Sequence, residues 1–211
     1  MITTVLFDLG GVIVRTEDRG PRQELAEEFE MDFWELSDLV YRTESARKAT
    51  VGEVSAEEHW GHLQRKLELD DREVTRFERR FWGGDELDET LVEFIRGLHQ
   101  EYTTALLSNA WDNLRTLMKE LWKIDQLFDR VFISAELNLA KPDDRIYQYV
   151  IKELGVPPSE IVFLDDFKEN VRAARENGLH AIHYRNREQG LAELRELLDQ
   201  TDLEQDASRD V

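Results

Sequence analysis

Cysteine is absent from the 211 residues, which excludes a disulfide framework, a thiolate nucleophile and any thiolate-based zinc or iron–sulfur site. No apolar run approaches the roughly 18 residues that a membrane-spanning helix requires. The first eight residues, Met1 to Asp8, lack a basic start followed by a long apolar stretch, and these absences together suit a cytoplasmic chain. Positive charge is scarce: 27 Lys and Arg stand against 46 Asp and Glu, a formal net charge of −19. Such a field repels phosphate backbones and anionic lipid alike, so neither nucleic acid nor a membrane surface is an expected partner. Apolar residues are plentiful at 41%, a fraction that a disordered acidic chain lacks. The length then suits one α/β domain, or a core carrying a smaller inserted domain.

Five short runs rich in Val, Ile, Leu or Phe, at residues 3–7, 103–107, 130–133, 161–164 and 180–184, read as strands. Most lack polar alternation, as befits a parallel sheet covered on both faces. Helical stripes lie between them: Leu87, Leu91, Ile95 and Leu98; Leu114, Met118 and Leu121; Ile146, Val150 and Leu154. Strand followed by helix, repeated, predicts a Rossmann-like, doubly wound parallel sheet. Residues 16–84 break the alternation and read as consecutive amphipathic helices, with start signals at Pro21, at Ser55-Ala-Glu-Glu and at Asp70-Asp71. The expected division is therefore a core of residues 1–15 and 85–199, an all-helical cap of residues 16–84, and a frayed polar tail of residues 200–211.

Ligands of open parallel sheets gather outside the carboxyl ends of the strands. There the sequence offers Asp8-Leu-Gly-Gly, Ser108-Asn109, Lys141-Pro142 and Asp165-Asp166. A carboxylate, a hydroxyl beside an amide, a cation and a carboxylate pair on one rim suit a hard cation such as Mg²⁺ together with a phosphoryl group. Asp8 and Asp166 would supply oxygen ligands, Ser108 and Asn109 hydrogen bonds to phosphoryl oxygens, and Lys141 a compact positive charge.

These segments, Val5-Leu-Phe-Asp-Leu-Gly-Gly-Val-Ile, Ala105-Leu-Leu-Ser-Asn, Lys141-Pro142 and Phe163-Leu-Asp-Asp-Phe-Lys-Glu-Asn-Val, resemble in order the four motifs of the haloacid dehalogenase-like superfamily. The resemblance runs from about residue 3 to residue 184. It is similar in particular to the helical-cap phosphatases related to sugar-phosphate phosphatases and the epoxide hydrolase phosphatase domain. The resemblance implies a Mg²⁺-dependent phosphatase acting on a small phosphorylated metabolite through a covalent aspartyl-phosphate on Asp8. It further implies that Ser108 holds the phosphoryl group, that Lys141 steadies nucleophile and phosphate, and that Asp8, the Gly10 carbonyl and Asp166 ligate the metal. Asp165 becomes a neighbour that orients ligands.

One position departs from the pattern. Most phosphatases of the superfamily carry an aspartate acid two residues after the nucleophile, where Gly10 stands here; Glu17 and Asp18 are the candidate substitutes. Two alternatives follow, a phosphate-binding regulator without turnover and a metal-independent dehalogenase. Against the second, Leu9-Gly10-Gly11-Val12 replaces the Tyr-Gly-Thr element typical of dehalogenases. His59 and His62 lie one helical turn apart but lack a third ligand, and with His180 and His183 they read as packing residues. Trp34, Trp60 and Trp82 read mainly as cap core. The expected assembly is a monomer or a homodimer.

Overall fold

The computed structural model describes the backbone of residues 1–209 and the side chains of residues 1–199. Among the described residues, β1 (Thr4–Phe7), β4 (Thr103–Ser108), β5 (Arg130–Ile133), β6 (Ile161–Asp165) and β7 (His180–His183) form one parallel sheet in the order β5-β4-β1-β6-β7. The doubly wound reading holds, and its cause is visible in the alternation of side chains. Val5, Phe7, Leu106, Val162 and Leu164 point into one core, closed by α6 (Glu89–Leu98) and α11 (Arg187–Arg209). Leu6, Ala105, Leu107 and Phe163 point into the other, closed by α9 (Asp144–Leu154) and α10 (Lys168–Glu176). A strand buried on both faces has no polar side, which is why the sequence shows unbroken apolar runs.

Between β2 (Val14–Thr16) and β3 (Asp85–Leu87), which pair antiparallel, stand the helices α1 (Gly20–Glu28), α2 (Phe33–Tyr41), α3 (Glu44–Thr50), α4 (Ala56–Lys66) and α5 (Asp71–Phe81). Reciprocal capping boxes open α2 (Asp32 with Glu35), α4 (Ser55 with Glu58) and α5 (Asp70 with Glu73). Leu25, Leu36, Leu63, Phe77 and Phe81 pack together among these helices in a cluster apart from the two that flank the sheet.

Two expectations need correction. The strands β2 and β3 are absent from the sequence reading, because three residues carry too little periodicity to register. The stripe of Leu114, Met118 and Leu121 fails at its end: α7 (Leu114–Thr116) passes into a wide π-type turn, Leu117–Trp122, and Leu121 is thrown out to 64% exposure. The backbone of the expected tail is helical as far as Arg209, while Asp210, Val211 and the side chains from Gln200 onward lie outside the described residues. No described helix is long and apolar enough to cross a membrane.

Candidate active site

The sheet register sets the site. Phe7 pairs with Leu106 on one side and Leu164 on the other, so Asp8, one residue further, emerges between the ends of β4 and β6. Its backbone N–H donates to the Leu164 carbonyl at 2.9 Å. Between β5 and α9, beyond the short helix α8 (Ser134–Leu137), the chain brings Lys141 to the same rim. The Lys141 ammonium donates to Asp8 Oδ1 at 2.9 Å, Asp165 Oδ2 at 2.7 Å and the Leu107 carbonyl at 2.9 Å, which fills its three N–H bonds. Its side chain is wholly buried, and so is that of Asp165. Burial of an ion pair is tolerable only with such complete hydrogen bonding.

The remaining oxygens separate two roles for the carboxylate pair. Asp165 is saturated: beyond Lys141 it accepts the Phe167 N–H at 2.8 Å and the Asn170 side-chain amide at 3.0 Å to both oxygens. Asp166 is not, for its Oδ1 is buried with no partner among the described residues. Asp8, Asp165 and Asp166 each place one oxygen within 4.8 Å of the others. Burial pushes Asp8 up to about 7, Lys141 pulls against that rise, and Asp165 and Asp166 add to it. Burial followed by Asp165 pushes Asp166 up to about 6. For Lys141, burial pulls the ammonium down, but Asp8 and Asp165 outweigh it and the net shift is upward. The site is thus a nest of carboxylates with more negative charge than one ammonium balances.

Gly11 permits the nest to close. Its φ of +76° belongs to the left-handed region, and a Cβ there would lie 2.2 Å from Asp166 Oδ2. Gly10 is its opposite: exposed, with open space where a Cβ would stand.

Of the sequence candidates, Asp8, Lys141, Asp165 and Asp166 converge, and Ser108 is buried at the end of β4, one residue past the Leu107 carbonyl that Lys141 bonds. Asn109 is engaged otherwise than expected. Its amide donates to the Lys141 carbonyl and its oxygen accepts the Lys141 N–H, both at 2.8 Å, so it fixes the backbone that aims the ammonium. Glu17 is paired with Arg15, and Asp18 accepts the Gly20 N–H at the start of α1. His59 is an interior residue: Nε2–H donates to the Val40 carbonyl at 3.0 Å, which leaves Nδ1 to accept from Ser45 Oγ at 2.9 Å. His62 bonds the Glu58 carbonyl.

Sequence reasoning gave no role to Asn170, whose carbonyl is in turn held by the Tyr147 hydroxyl at 3.0 Å. Nor did it assign Ser134, whose hydroxyl bonds both the Ala110 N–H and the Ala110 carbonyl. His183 Nε2 donates to the Asp166 carbonyl at 3.0 Å. Only for Asn170, one turn into the helix after Asp165, does the spacing carry a signal.

This arrangement has a family. The model of the haloacid dehalogenase-like hydrolases matches residues 2–178. The chain belongs to that family. Among the relatives of this hydrolase, a D-ribitol-5-phosphate phosphatase of Bacteroides thetaiotaomicron is 29% identical over 195 residues, covering 88% of this chain and 93% of the relative. A HAD-like hydrolase structure from Porphyromonas gingivalis superimposes with a TM-score of 0.77 at 25% identity, covering 94% of this chain and 98% of that one. A HAD family enzyme from Bacteroides thetaiotaomicron, solved with magnesium and inorganic phosphate, superimposes with a TM-score of 0.73 at 21% identity, covering 86% and 93%.

Proposed function

We propose that this hydrolase is a Mg²⁺-dependent phosphatase of a small phosphorylated metabolite, working through an aspartyl-phosphate on Asp8. The observation that carries the reading is the unpartnered, buried Oδ1 of Asp166 beside Asp8, in a carboxylate nest that Lys141 alone does not neutralise. Such a donor set of oxygens fits a hard divalent cation. Asp8, Asp166 and the Gly10 carbonyl would hold it. When bound, it supplies the positive charge that lets a carboxylate approach an anionic phosphoryl group.

The residues divide the remaining work. A carboxylate oxygen of Asp8 attacks phosphorus and the ester P–O bond breaks; the leaving oxygen takes its proton from water. Lys141 holds Asp8 in place and offsets negative charge on the phosphoryl oxygens, while Ser108 donates a hydrogen bond to one of them. Asp165 and Asn170 fix the ammonium, and Asn109 fixes its backbone. Water then attacks the phosphorus, releasing phosphate and restoring the Asp8 carboxylate. The phosphatase among the relatives and the neighbour solved with magnesium and phosphate support this reading.

Gly10 favours a second reading, a phosphate-binding protein without turnover. The two are separated by following phosphate release from an aryl phosphate with and without Mg²⁺, in the wild type and in Asp8→Asn. Release that requires Mg²⁺ and vanishes in the variant is the expected result. Phosphate binding without release from the wild type would select the regulator, and metal-independent halide release from a 2-haloacid would select a dehalogenase.

A further inference from the structure

The cap meets the core at two places. At the first, near β2 and β3, Asp85 Oδ1 accepts from Thr16 Oγ1 at 2.6 Å and from the buried Arg22 guanidinium at 3.1 Å. Arg22 also donates to the Phe81 carbonyl at 3.1 Å. At the second, residues of the loops after β4 and β5 grip the cap. Asp112 Oδ1 accepts the Ala56 N–H at the start of α4 at 2.9 Å, and Asn138 Nδ2 donates to the Val51 carbonyl at 2.8 Å.

A line of aromatic rings runs from one place to the other. Tyr41 stands at the first, its hydroxyl beside Arg22. Its ring meets Trp82 edge to face at 5.8 Å, and Trp82 is the residue before the Gly83-Gly84 return to β3. Trp82 meets Trp111 edge to face at 6.3 Å, and Trp111 lies three residues beyond Ser108 on the core. Behind the line, Phe81, Trp60 and Phe77 are buried. The line itself is not: Tyr41 is 43% exposed, and Trp82 and Trp111 are half-buried. Its cation, Arg22, is already matched by Asp85.

Resting on the phosphatase reading above, we propose that Tyr41, Trp82 and Trp111 receive the leaving-group half of the substrate, and that this half presents a flat apolar face. The class is phosphate monoesters of aromatic or hydrocarbon alcohols. On that reading the phosphate stands at Ser108 and Asp8; Trp111, the core end of the line, follows Ser108 by three residues, which the chain can span over at most about 11 Å, so the rings are offered to the far half of an ester held there. Rings offer dispersion and edge contacts to apolar skeletons but nothing to a second phosphate, which the net charge of −19 also repels.

The test compares 1-naphthyl phosphate with phenyl phosphate, leaving groups of similar acidity and unequal apolar area, on wild type, Tyr41→Ala and Trp111→Leu. The wild type should prefer the naphthyl ester by about two- to tenfold in kcat/KM, the range that aromatic contacts supply, with the difference in KM. Both variants should lose that preference, while the inhibition constant of inorganic phosphate, which has no leaving group, stays put. Tyr41 is exposed enough for its variant to fold even if Trp111→Leu does not. An equal preference in wild type and folded variants, or none in the wild type, overturns the proposal. If no ester is hydrolysed at all, the phosphatase reading fails, and tryptophan quenching by the two esters bound to the wild type still decides: tighter naphthyl binding lost in Tyr41→Ala upholds the aromatic site, and equal binding removes it.

Discussion

Gly10 and Gly11 are neighbours with opposite constraints. Position 11 admits no side chain, because a Cβ would strike Asp166 and the backbone is left-handed; position 10 faces open space. An added carboxylate at position 10 therefore costs no packing, and Gly10→Asp should accelerate turnover of alkyl phosphates, whose leaving groups need a proton. A positioned acid contributes typically ~10²- to 10⁴-fold, so a gain on the order of tenfold or more in kcat is expected, with little gain for aryl phosphates. Equal factors for both ester types would show that the new carboxyl does not reach the leaving oxygen. At this scale the sequence was legible where a residue sits in a motif, as with Asp8, Lys141 and Asp165-Asp166. It was silent on Asn109 as the clamp of Lys141 and on Ser134 as the clamp of Ala110, since both roles depend on segments more than twenty residues apart coming together.

The elements differ in how loudly they announce themselves. The five strands of the main sheet and the helices opening at Ser55 and Asp70 were plain, because burial on two faces and capping boxes each leave a local signature, whereas the capping box of Asp32 with Glu35 went unread. The strands β2 and β3 were not plain, because each is three residues long and stands where the chain leaves or re-enters the core, nor was the π-type turn, because the spacing of Leu114, Met118 and Leu121 is that of an ordinary helix. Within the cap, α4 carries a pH sensitivity. Burial holds His59 below its ordinary pKa, against the pull of its bond to the Val40 carbonyl and with His62 adding to the fall. A depressed folded-state value means that the stabilisation is whole above the unfolded value of about 6.5 and is lost as pH falls through the folded one. Because the raised Asp8 and Asp166 act in the opposite sense, the check is the wild-type thermal midpoint relative to that of His59→Gln, which should fall between pH 7 and pH 5, followed by the emission of Trp60 and Trp111, whose rings lie 5.8 and 4.7 Å from His59. A difference unchanged over that range would show that His59 keeps its bonds when protonated.

The molecule as a whole carries a formal charge of −19 yet is proposed to attract an anion. Its long-range field should slow the encounter, and salt should relieve it: the Debye length falls from about 30 Å at 0.01 M to about 8 Å at 0.15 M. With Mg²⁺ saturating, kcat/KM for a dianionic ester should rise over that interval while kcat holds steady; a fall would mean that Lys141 and the bound cation dominate the approach. The grip between core and cap matters at the same scale. Trp111, Asp112 and Asn138 belong to the core, yet their partners His59, Ala56 and Val51 belong to the insert, and Gly52 lies so close to the Ala135 carbonyl that a Cβ would sit 2.0 Å from it. The insert is therefore not an interchangeable module. A cap transplanted from a relative would arrive tethered at one end only, and a chimera that kept both halves individually folded would still have to rebuild this seam before it could inherit either parent's selectivity.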